Sequence, residues 1–466
     1  PTAFIFWAVL AFARYLRRPC KARWWTAALF LGLAQGAKLT AALLLPVLGL
    51  RALADAALRT KDGQLKAVLR RALGYGAMLA VAALVTWVLY LFEVRPVPDV
   101  AGGALPIPAA SHVERWLRLQ DNIAYGRESF LLGQNRMHGW WQYFPIAFLL
   151  KTPLLTLMLL MASIVTASLQ VCRYANRRWS LLIAHCSLLL FPLVYGISSL
   201  TSTINIGYRH LLPVLPFLFV FASRIAHRVL CITQHGTRNT WHVLRVACSV
   251  SCLTWLALGS LLLSPHYLTY FNELAGGPDN GYRFLADSNT DWGQGLKALA
   301  DHQRRNGLGA VRLSLFTFLD PAAYGVRYEP IAPMTGAPPV LPQRFNPEPG
   351  LYAISATTLD GVPLPLPSMY DWFRHREPLV KIAHAIFLYE VQGGEGEWVA
   401  QCTLPVAPLT PEAVAEGFGS AGLRRIYFDC EQSWVFPDGG VSAGWYARAT
   451  PGIDRLRWPV KSERLE

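Results

Sequence analysis

Apolar stretches separated by short basic clusters dominate the first 263 residues of the chain. A helix crosses the hydrocarbon core of a bilayer, about 30 Å thick, with roughly 20 apolar residues. We therefore predict a polytopic α-helical membrane bundle of about eight membrane helices, followed by a small extracytoplasmic α/β domain. The predicted spans are residues 2–13, 24–35, 39–53, 73–92, 141–169, 181–200, 211–226 and 243–263.

The basic clusters predict the orientation of these spans. They occupy residues 14–23, 51–71, 173–178 and 224–245. Cytoplasmic loops of membrane proteins carry an excess of Lys and Arg, so all four clusters are assigned to the cytoplasm. Residues 24–53 must then cross twice as a short hairpin, although one long tilted helix is the alternative. Residues 93–140, residues 201–210 and everything after residue 264 are predicted to lie outside.

Two domains follow from this topology. Residues 1–263 form the predicted bundle, with an outer loop at 93–140 in which residues 112–126 are patterned as an amphipathic interfacial helix. Residues 264–466 form the predicted α/β domain. It has strands near 310–318, 350–356 and 382–391 and helices near 293–305 and 369–374. The pattern of residues 395–466 predicts no clear elements.

Composition and charge support a membrane protein. Only 15% of the 466 residues are charged and 53% are hydrophobic, whereas soluble domains have about 25% charged residues. The net charge of +14 is concentrated in residues 1–263, with 26 basic against 7 acidic residues. Because the excess lies in loops between apolar stretches, and no nucleic-acid module is present, we expect no nucleic-acid partner. The chain begins at Pro1 inside an apolar stretch, so we expect it to lack its native N-terminus.

The eight cysteines show no metal-ligand spacing. Only Cys402 and Cys430 fall in the predicted outer domain, where an oxidising compartment would allow them to pair. The sequence leaves both the paired and the free state open.

Four basic residues stand at unusual positions for a membrane protein. Lys151 lies about ten residues into an apolar stretch and just before Pro153, where a charge is costly. Lys38 lies at the turn of the short hairpin, and Arg209 and His210 lie at the outer end of the next predicted span. Lysines that reach the interface and helix-end anchors are the structural alternatives. If these cations converge, they would suit a phosphate or pyrophosphate.

A polar stretch at residues 286–294 precedes a predicted helix in the outer domain. Asp291 with Gln294 is spaced as a capping box, which leaves Asp287 and Asn289 unexplained. Asp287, Asn289 and Asp291, together with Asn205 and Tyr208, are candidates for binding sugar hydroxyls or an acceptor. Oxygen ligands of this kind also suit a divalent cation such as calcium, but no motif indicates one, so we predict no metal site and leave the cofactor open.

Three stretches carry a resemblance to a known family: residues 139–153 (GWWQYFPIAFLLKTP), residues 204–213 (INIGYRHLLP) and residues 270–294. Over residues 1–305 the chain resembles bacterial family 39-like glycosyltransferases, of the GT-C superfamily and related to protein O-mannosyltransferases. The resemblance implies transfer of a sugar, with inversion, from a polyprenyl-phosphate donor on the outer face of the bacterial inner membrane. It places Lys151, Arg209 and His210, and less closely Lys38, at the donor phosphate.

The same resemblance implies an acidic catalytic residue in the first outer loop, which we expect to lie before residue 1. None of Glu93, Asp99, Glu114, Asp121 and Glu128 matches that motif. The expected partners are the lipid-linked donor, membrane lipid, and an acceptor that is a glycan, a lipid or a protein. The alternatives are a transporter or flippase for lipid-linked sugars, although no inverted repeat is visible, and a non-catalytic scaffold with an outer sugar-binding domain.

Overall fold

The computed structural model describes most of the chain, and its residues divide into two units, Pro1–Asn289 and Thr290–Glu466. The described residues are 1–59, 65–100, 102, 105–174, 179–231, 239–334, 347, 349–364, 367–374, 376–391, 398–402, 409–419, 423–428, 444–447 and 462–465.

The first unit is mainly helical, and its helices are built on apolar faces that pack together. A buried core joins helices from both ends of the unit. This core includes Phe12, Leu31, Phe191 and Phe217. The helices are α1 (Thr2–Arg17), α2 (Lys21–Ala37), α3 (Leu44–Arg59), α4 (Leu65–Leu89), α5 (Ala110–Tyr125), α6 (Tyr143–Lys151), α7 (Leu154–Tyr174), α8 (Trp179–Leu200), α9 (Leu215–Cys231) and α10 (Asn239–Leu262).

The prediction of about eight membrane helices is wrong for the structure as described. Among the described residues, Leu39–Ala57 and Val68–Leu89 are long and apolar enough to span a membrane. A third span results only if Tyr143–Lys151 and Leu154–Leu169, which meet at a bend of 114°, count as one. Helices α1 and α2 have 16 and 17 residues, about 25 Å at 1.5 Å per residue, which is short for the hydrocarbon core.

A proline break and the short length of two apolar helices explain why the apolar pattern overestimated the number of membrane spans. Pro153 cannot donate a backbone hydrogen bond, so the stretch read as one span at 141–169 is broken after Lys151. In the predicted spans 181–200 and 243–263, the apolar helices found among the described residues are only Leu189–Leu200 and Val250–Leu262. Among the described residues two helices therefore meet the criteria for membrane spans, and a polytopic bundle of eight does not describe this part of the chain.

The segment predicted as an outer loop contains helix α5 and two hairpins. Strands β1 (Val94–Pro96) and β2 (Pro106–Pro108) pair antiparallel, as do β3 (Ser129–Leu131) and β4 (Gln134–Arg136). Arg95 fixes α5 to the first hairpin, because its Nη1 and Nη2 donate to both carboxylate oxygens of Glu114, at 2.5 and 2.7 Å. The predicted amphipathic helix at 112–126 thus exists, with bounds shifted by one or two residues.

The second unit contains two sheets. Helix α11 (Leu296–Arg305) packs on a five-stranded sheet of order β6-β5-β7-β9-β8. Strands β5 (Val311–Ser314), β6 (Tyr328–Pro330) and β7 (Gly350–Ser355) are parallel, and β8 (Val380–Ile382) and β9 (Ile386–Val391) run antiparallel to their neighbours. The strands expected near 310–318, 350–356 and 382–391 are therefore present in shorter form.

The second sheet lies in the region for which the sequence predicted no elements. Its order is β11-β10-β12-β13, formed by β10 (Trp398–Cys402), β11 (Arg424–Phe428), β12 (Gly444–Ala447) and β13 (Ser462–Leu465). Cys402 is disulfide-bonded, and Cys430 lies outside the described residues.

Candidate functional site

The three stretches that carry the family resemblance meet in the first unit. Asn272 Nδ2 donates to the carbonyl oxygens of Leu149 (2.6 Å) and Thr152 (2.8 Å), joining the third stretch to the first. Ser288 Oγ donates to the carbonyl oxygen of Ile206, joining the third stretch to the second. Residues more than 100 positions apart therefore surround one region, which the sequence could not show.

Lys151 is a buried anchor of this region. Its ammonium donates to the carbonyl oxygens of Leu268 (2.7 Å) and Asn289. The same Nζ lies 4.6 Å from the centre of the Phe271 ring, a cation–π arrangement. Lys151 is 9% exposed, so its charge is satisfied by backbone and aromatic groups of the same unit. The structure thus places this residue beneath two loops and in contact with their backbone.

Asn289 links those loops to the second stretch. Its Nδ2 donates to Tyr143 Oη at 2.9 Å, and its Oδ1 accepts from the backbone amide of Tyr208, also at 2.9 Å. Tyr208 Oη in turn shares a hydrogen bond with Thr152 Oγ1 at 2.9 Å. Asn289 has no exposed surface. A fully satisfied buried network of this kind holds the backbone in one conformation, and here it holds the turn that carries Arg209 and His210.

Three of the predicted cations lie together. The charge of Arg209 acts on both Lys38 and His210, and the charge of Lys38 acts on His210. Burial and the charge of Arg209 lower the pKa of Lys38. Burial, followed by the charges of Lys38 and Arg209, lowers the pKa of His210 to about 4, so this imidazole is neutral near pH 7 and acts as a hydrogen-bonding member of the group. We call Lys38, Arg209 and His210 the cation cluster.

The cluster has the properties of an anion site. Arg209 is exposed, while Lys38 and His210 are half-buried. Among the described residues, no acidic side chain contributes to the shifts of Lys38 and His210. The Nε2 atom of His210 is buried and has no hydrogen-bond partner among the residues that the structure describes. An anion placed there would relieve the repulsion between Lys38 and Arg209 and would accept hydrogen bonds from the three side chains.

The structure also reveals neighbours that the sequence did not single out. Tyr195 Oη donates to the carbonyl oxygen of His210 at 2.6 Å and so fixes the backbone of the cluster. Tyr143, fully buried, lies within electrostatic reach of both Arg209 and Asp287. A tyrosine in an apolar stretch is usually read as a core residue or an interface anchor, so only its packing partners identify this position.

The remaining sugar-binding candidates of the first unit lie near these groups. Asp287 has a left-handed backbone (φ 57°) and its Oδ1 accepts from the amide of Ser288. Asn205 is buried and donates from Nδ2 to the carbonyl oxygen of Trp140 at 2.9 Å. Its amide nitrogen fits only because Gly139, at φ 62°, lacks a Cβ that would stand 2.2 Å away. Asn205 and Asn289 thus act on backbone and side-chain groups of the protein itself.

Asp291 belongs to the second unit and has a different environment. Its Oδ1 accepts from the amide of Gly293 at 2.9 Å, and its Oδ2 has no hydrogen-bond partner among the described residues. Burial raises the pKa of Asp291 to about 6. The predicted capping box does not form, because helix α11 begins at Leu296 with Gly295 as its N-cap. Gln294 instead accepts from the amide of Trp292 at 2.7 Å.

Two of the outer acids are held in a structural network. The amide of Ser111 and the guanidinium of Arg95 hold the pKa of Glu93 below its usual range, and Arg95 does the same for Glu114. Within the described residues, no group of three or more His, Cys, Asp or Glu side chains is arranged to hold a metal ion.

Comparison with known proteins gives no match: no family model, curated protein or solved structure matches this chain.

Proposed function

We propose that the protein is a membrane-associated glycosyltransferase that takes its sugar from a polyprenyl-phosphate-linked donor. The observation that supports this most directly is the cation cluster, in which Lys38 and His210 lack an acidic neighbour among the described residues. A phosphate diester is an anion of suitable size and charge for such a group. The resemblance of residues 139–153, 204–213 and 270–294 to family 39-like glycosyltransferases supplies the reaction.

The chemistry assigned to the cluster is stabilisation of the leaving group. In an inverting transfer, an acceptor oxygen attacks the anomeric carbon while the bond from that carbon to the phosphate oxygen breaks. The electron pair leaves with the phosphate, whose negative charge grows in the transition state. Fixed cations stabilise that charge without reorganising. Loss of the acceptor proton requires a general base, such as a histidine or a carboxylate.

Asp287 is the acidic group of the first unit that we propose for the acceptor. Its carboxylate acts electrostatically on Tyr143, as Arg209 does, and it sits on a short turn, Asp287–Asn289, that the buried side chain of Asn289 fixes. A carboxylate in this position would accept from sugar or acceptor hydroxyls. We propose that Asp287 orients the acceptor, and that Lys151 and Asn289 hold the turn.

The proposed location is the cytoplasmic membrane of a bacterium, with the second unit on the outer side. The two helices that could span a membrane support attachment to a bilayer. The basic residues at 14–23, at the end of α1 and the start of α2, support a cytoplasmic position for the turn between these helices.

The first test is binding of the leaving group. Synthetic undecaprenyl phosphate is titrated into the detergent-solubilised full chain, and the phosphorus signal is followed by NMR. Lys38→Met and Arg209→Gln should each weaken binding about tenfold or more, since a hydrogen bond to a charged group contributes about 1.5–3 kcal/mol. Arg127→Gln, an exposed arginine of the first unit, is the matched control and should bind like the unaltered chain. Equal binding by all three variants would refute the site.

A second measurement separates an enzyme from a transporter or scaffold. The protein is incubated with synthetic polyprenyl-phosphate hexose and pentose donors, and released polyprenyl phosphate is measured. Release that falls with Arg209→Gln and persists with Arg127→Gln supports transfer. Tight donor binding without any release, over the same donors and candidate acceptors, would contradict the enzymatic proposal and favour a flippase.

A further inference from the structure

A cleft between α1 and α2 lies outside the site described above. It has a volume of about 300 Å³ and is lined by Trp7, Ala11, Arg14, Arg23, Thr26 and Phe30. The first three residues are spaced i, i+4 and i+7 on α1, and the last three are spaced i, i+3 and i+7 on α2. Such spacing places each set on one face of its helix, so two side-chain stripes face each other across the cleft.

The two ends of the cleft differ in chemistry. Trp7 and Phe30 stack at one end, with ring centroids 6.0 Å apart and an interplanar angle of 23°. Arg14 and Arg23 lie toward the other end, beside the turn that joins α1 to α2. Seven residues of helix separate Trp7 from Arg14, which is about 10 Å at 1.5 Å per residue. A ligand that fills the cleft is therefore anionic at one end and apolar at the other.

Within the described part of the chain, no acidic side chain neutralises the charged end. No acidic residue lines the cleft, and the ion pairs found among the described residues involve neither Arg14 nor Arg23. Arg23 Nη1 donates to the carbonyl oxygen of Arg18 at 2.7 Å, which leaves other N–H groups of its planar fork for a ligand. Thr26 Oγ1 donates to the carbonyl oxygen of Ala22. The ligand must supply the acceptor oxygens, and phosphate matches the guanidinium fork.

The apolar end continues onto an exposed apolar surface. Trp7 is 42% exposed, and Phe4, one turn before it on the same face, is 36% exposed. Leu29 and Trp25 of α2 are also exposed. Exposed aromatic and aliphatic side chains beside cations are typical of a surface that contacts lipid. We infer that this cleft binds an anionic membrane phospholipid, with its phosphate on Arg14 and Arg23 and an acyl chain along Trp7 and Phe30.

Native mass spectrometry of the full chain in mild detergent tests the inference. Dioleoyl phosphatidylglycerol and dioleoyl phosphatidylcholine are added separately, and bound lipids are counted. The unaltered chain should retain phosphatidylglycerol in preference to phosphatidylcholine. The double variant Arg14→Gln/Arg23→Gln should lose affinity for phosphatidylglycerol about tenfold or more, because two charge-assisted contacts are removed. Trp7→Ala should weaken binding of both lipids.

The matched control is Arg17→Gln/Arg18→Gln, which removes the same charge from the same turn without altering a residue that lines the cleft. Retained phosphatidylglycerol binding in this control supports the assignment. An equal loss in both double variants would overturn it, since attraction would then come from net charge alone. Full competition by millimolar inorganic phosphate would also overturn it, because the acyl chain would contribute nothing. Circular dichroism confirms that each variant is folded.

Discussion

Replacing Lys151 by methionine tests whether this residue anchors the site or contacts the donor directly. The substitution keeps an unbranched chain next to Phe271 but removes the ammonium that donates to the carbonyl oxygens of Leu268 and Asn289. Each buried acceptor left without its donor costs about 1–3 kcal/mol, partly offset because a charge need no longer be buried. We expect the two loops to lose about 2–4 kcal/mol of local stability.

Hydrogen–deuterium exchange measures that loss where it should occur. A change of 2–4 kcal/mol corresponds to exchange that is roughly 30-fold to 1000-fold faster. The effect should appear in peptides covering Tyr267–Thr269 and Asp287–Asn289, the two short turns whose carbonyls lose the ammonium. Lys297→Met, which removes an exposed lysine from α11, is the control and should leave both peptides unchanged.

The result that refutes this reasoning is equally definite. Unchanged exchange in both turns, together with a tenfold or greater loss of undecaprenyl phosphate binding, would show that Lys151 contacts the phosphate. Faster exchange with a secondary loss of binding would show that it anchors the turn.

Three further expectations concern pH and packing. Burial lowers the pKa of His210 to about 4 from its ordinary 6.5. The folded state should therefore lose stability as pH falls from about 6.5 to 4. Thermal melts of His210→Gln should lack this pH dependence. Burial raises the pKa of Asp291 to about 6 from 3.8. The stability that its protonated carboxyl contributes to the fold is therefore complete below about pH 3.8 and is lost as pH rises to 6. Asp291→Asn should flatten that part of a plot of melting temperature against pH. Gly444→Ala should destabilise the second unit by about 1–3 kcal/mol in urea unfolding, because an added Cβ would overlap the Trp398 ring. Gly417→Ala is the control: this glycine lies in the helix Pro411–Phe418 with open space where its Cβ would be, so the change should be neutral or slightly stabilising.

Local patterns in the sequence predicted several elements well. The amphipathic period near residue 112 corresponds to α5, and the apolar runs near 350 and 386 correspond to β7 and β9. These signals are local, because side-chain periodicity depends only on neighbouring residues. The four strands of the second sheet were not predicted. These strands are only four or five residues long, β11 and β13 contain charged residues, and Gly- and Pro-containing segments separate the strands in the sequence.

The membrane prediction shows where hydropathy alone is insufficient. Apolar composition established that much of the first unit is hydrophobic, but helix length depends on breaks such as the one at Pro153 and the turn after Lys38. Hydrophobic residues also serve the core between helices, as Phe12 and Phe217 do. Composition does not distinguish burial against protein from burial against lipid.

The sequence singled out candidate residues for the site but not their geometry. Lys38, Arg209 and His210 were selected because a charge in an apolar region is costly, and the structure brings these three together. Lys151 was selected for the same reason, but its ammonium is directed to backbone carbonyls. A charge that is costly to bury indicates that its side chain has a specific partner. Which group that partner is depends on tertiary contacts, which the spacing of residues in the sequence does not specify.

The contacts that join the three stretches have an evolutionary consequence. Lys151, Asn272 and Ser288 each donate from a side chain to a main-chain oxygen, belonging to residues such as Leu149, Leu268 and Ile206. Every amino acid offers that oxygen, so the accepting positions are free to drift among apolar types while the donors are not. Related chains should therefore retain the donors amid changing neighbours, and their alignment would show isolated fixed polar columns within variable apolar ones.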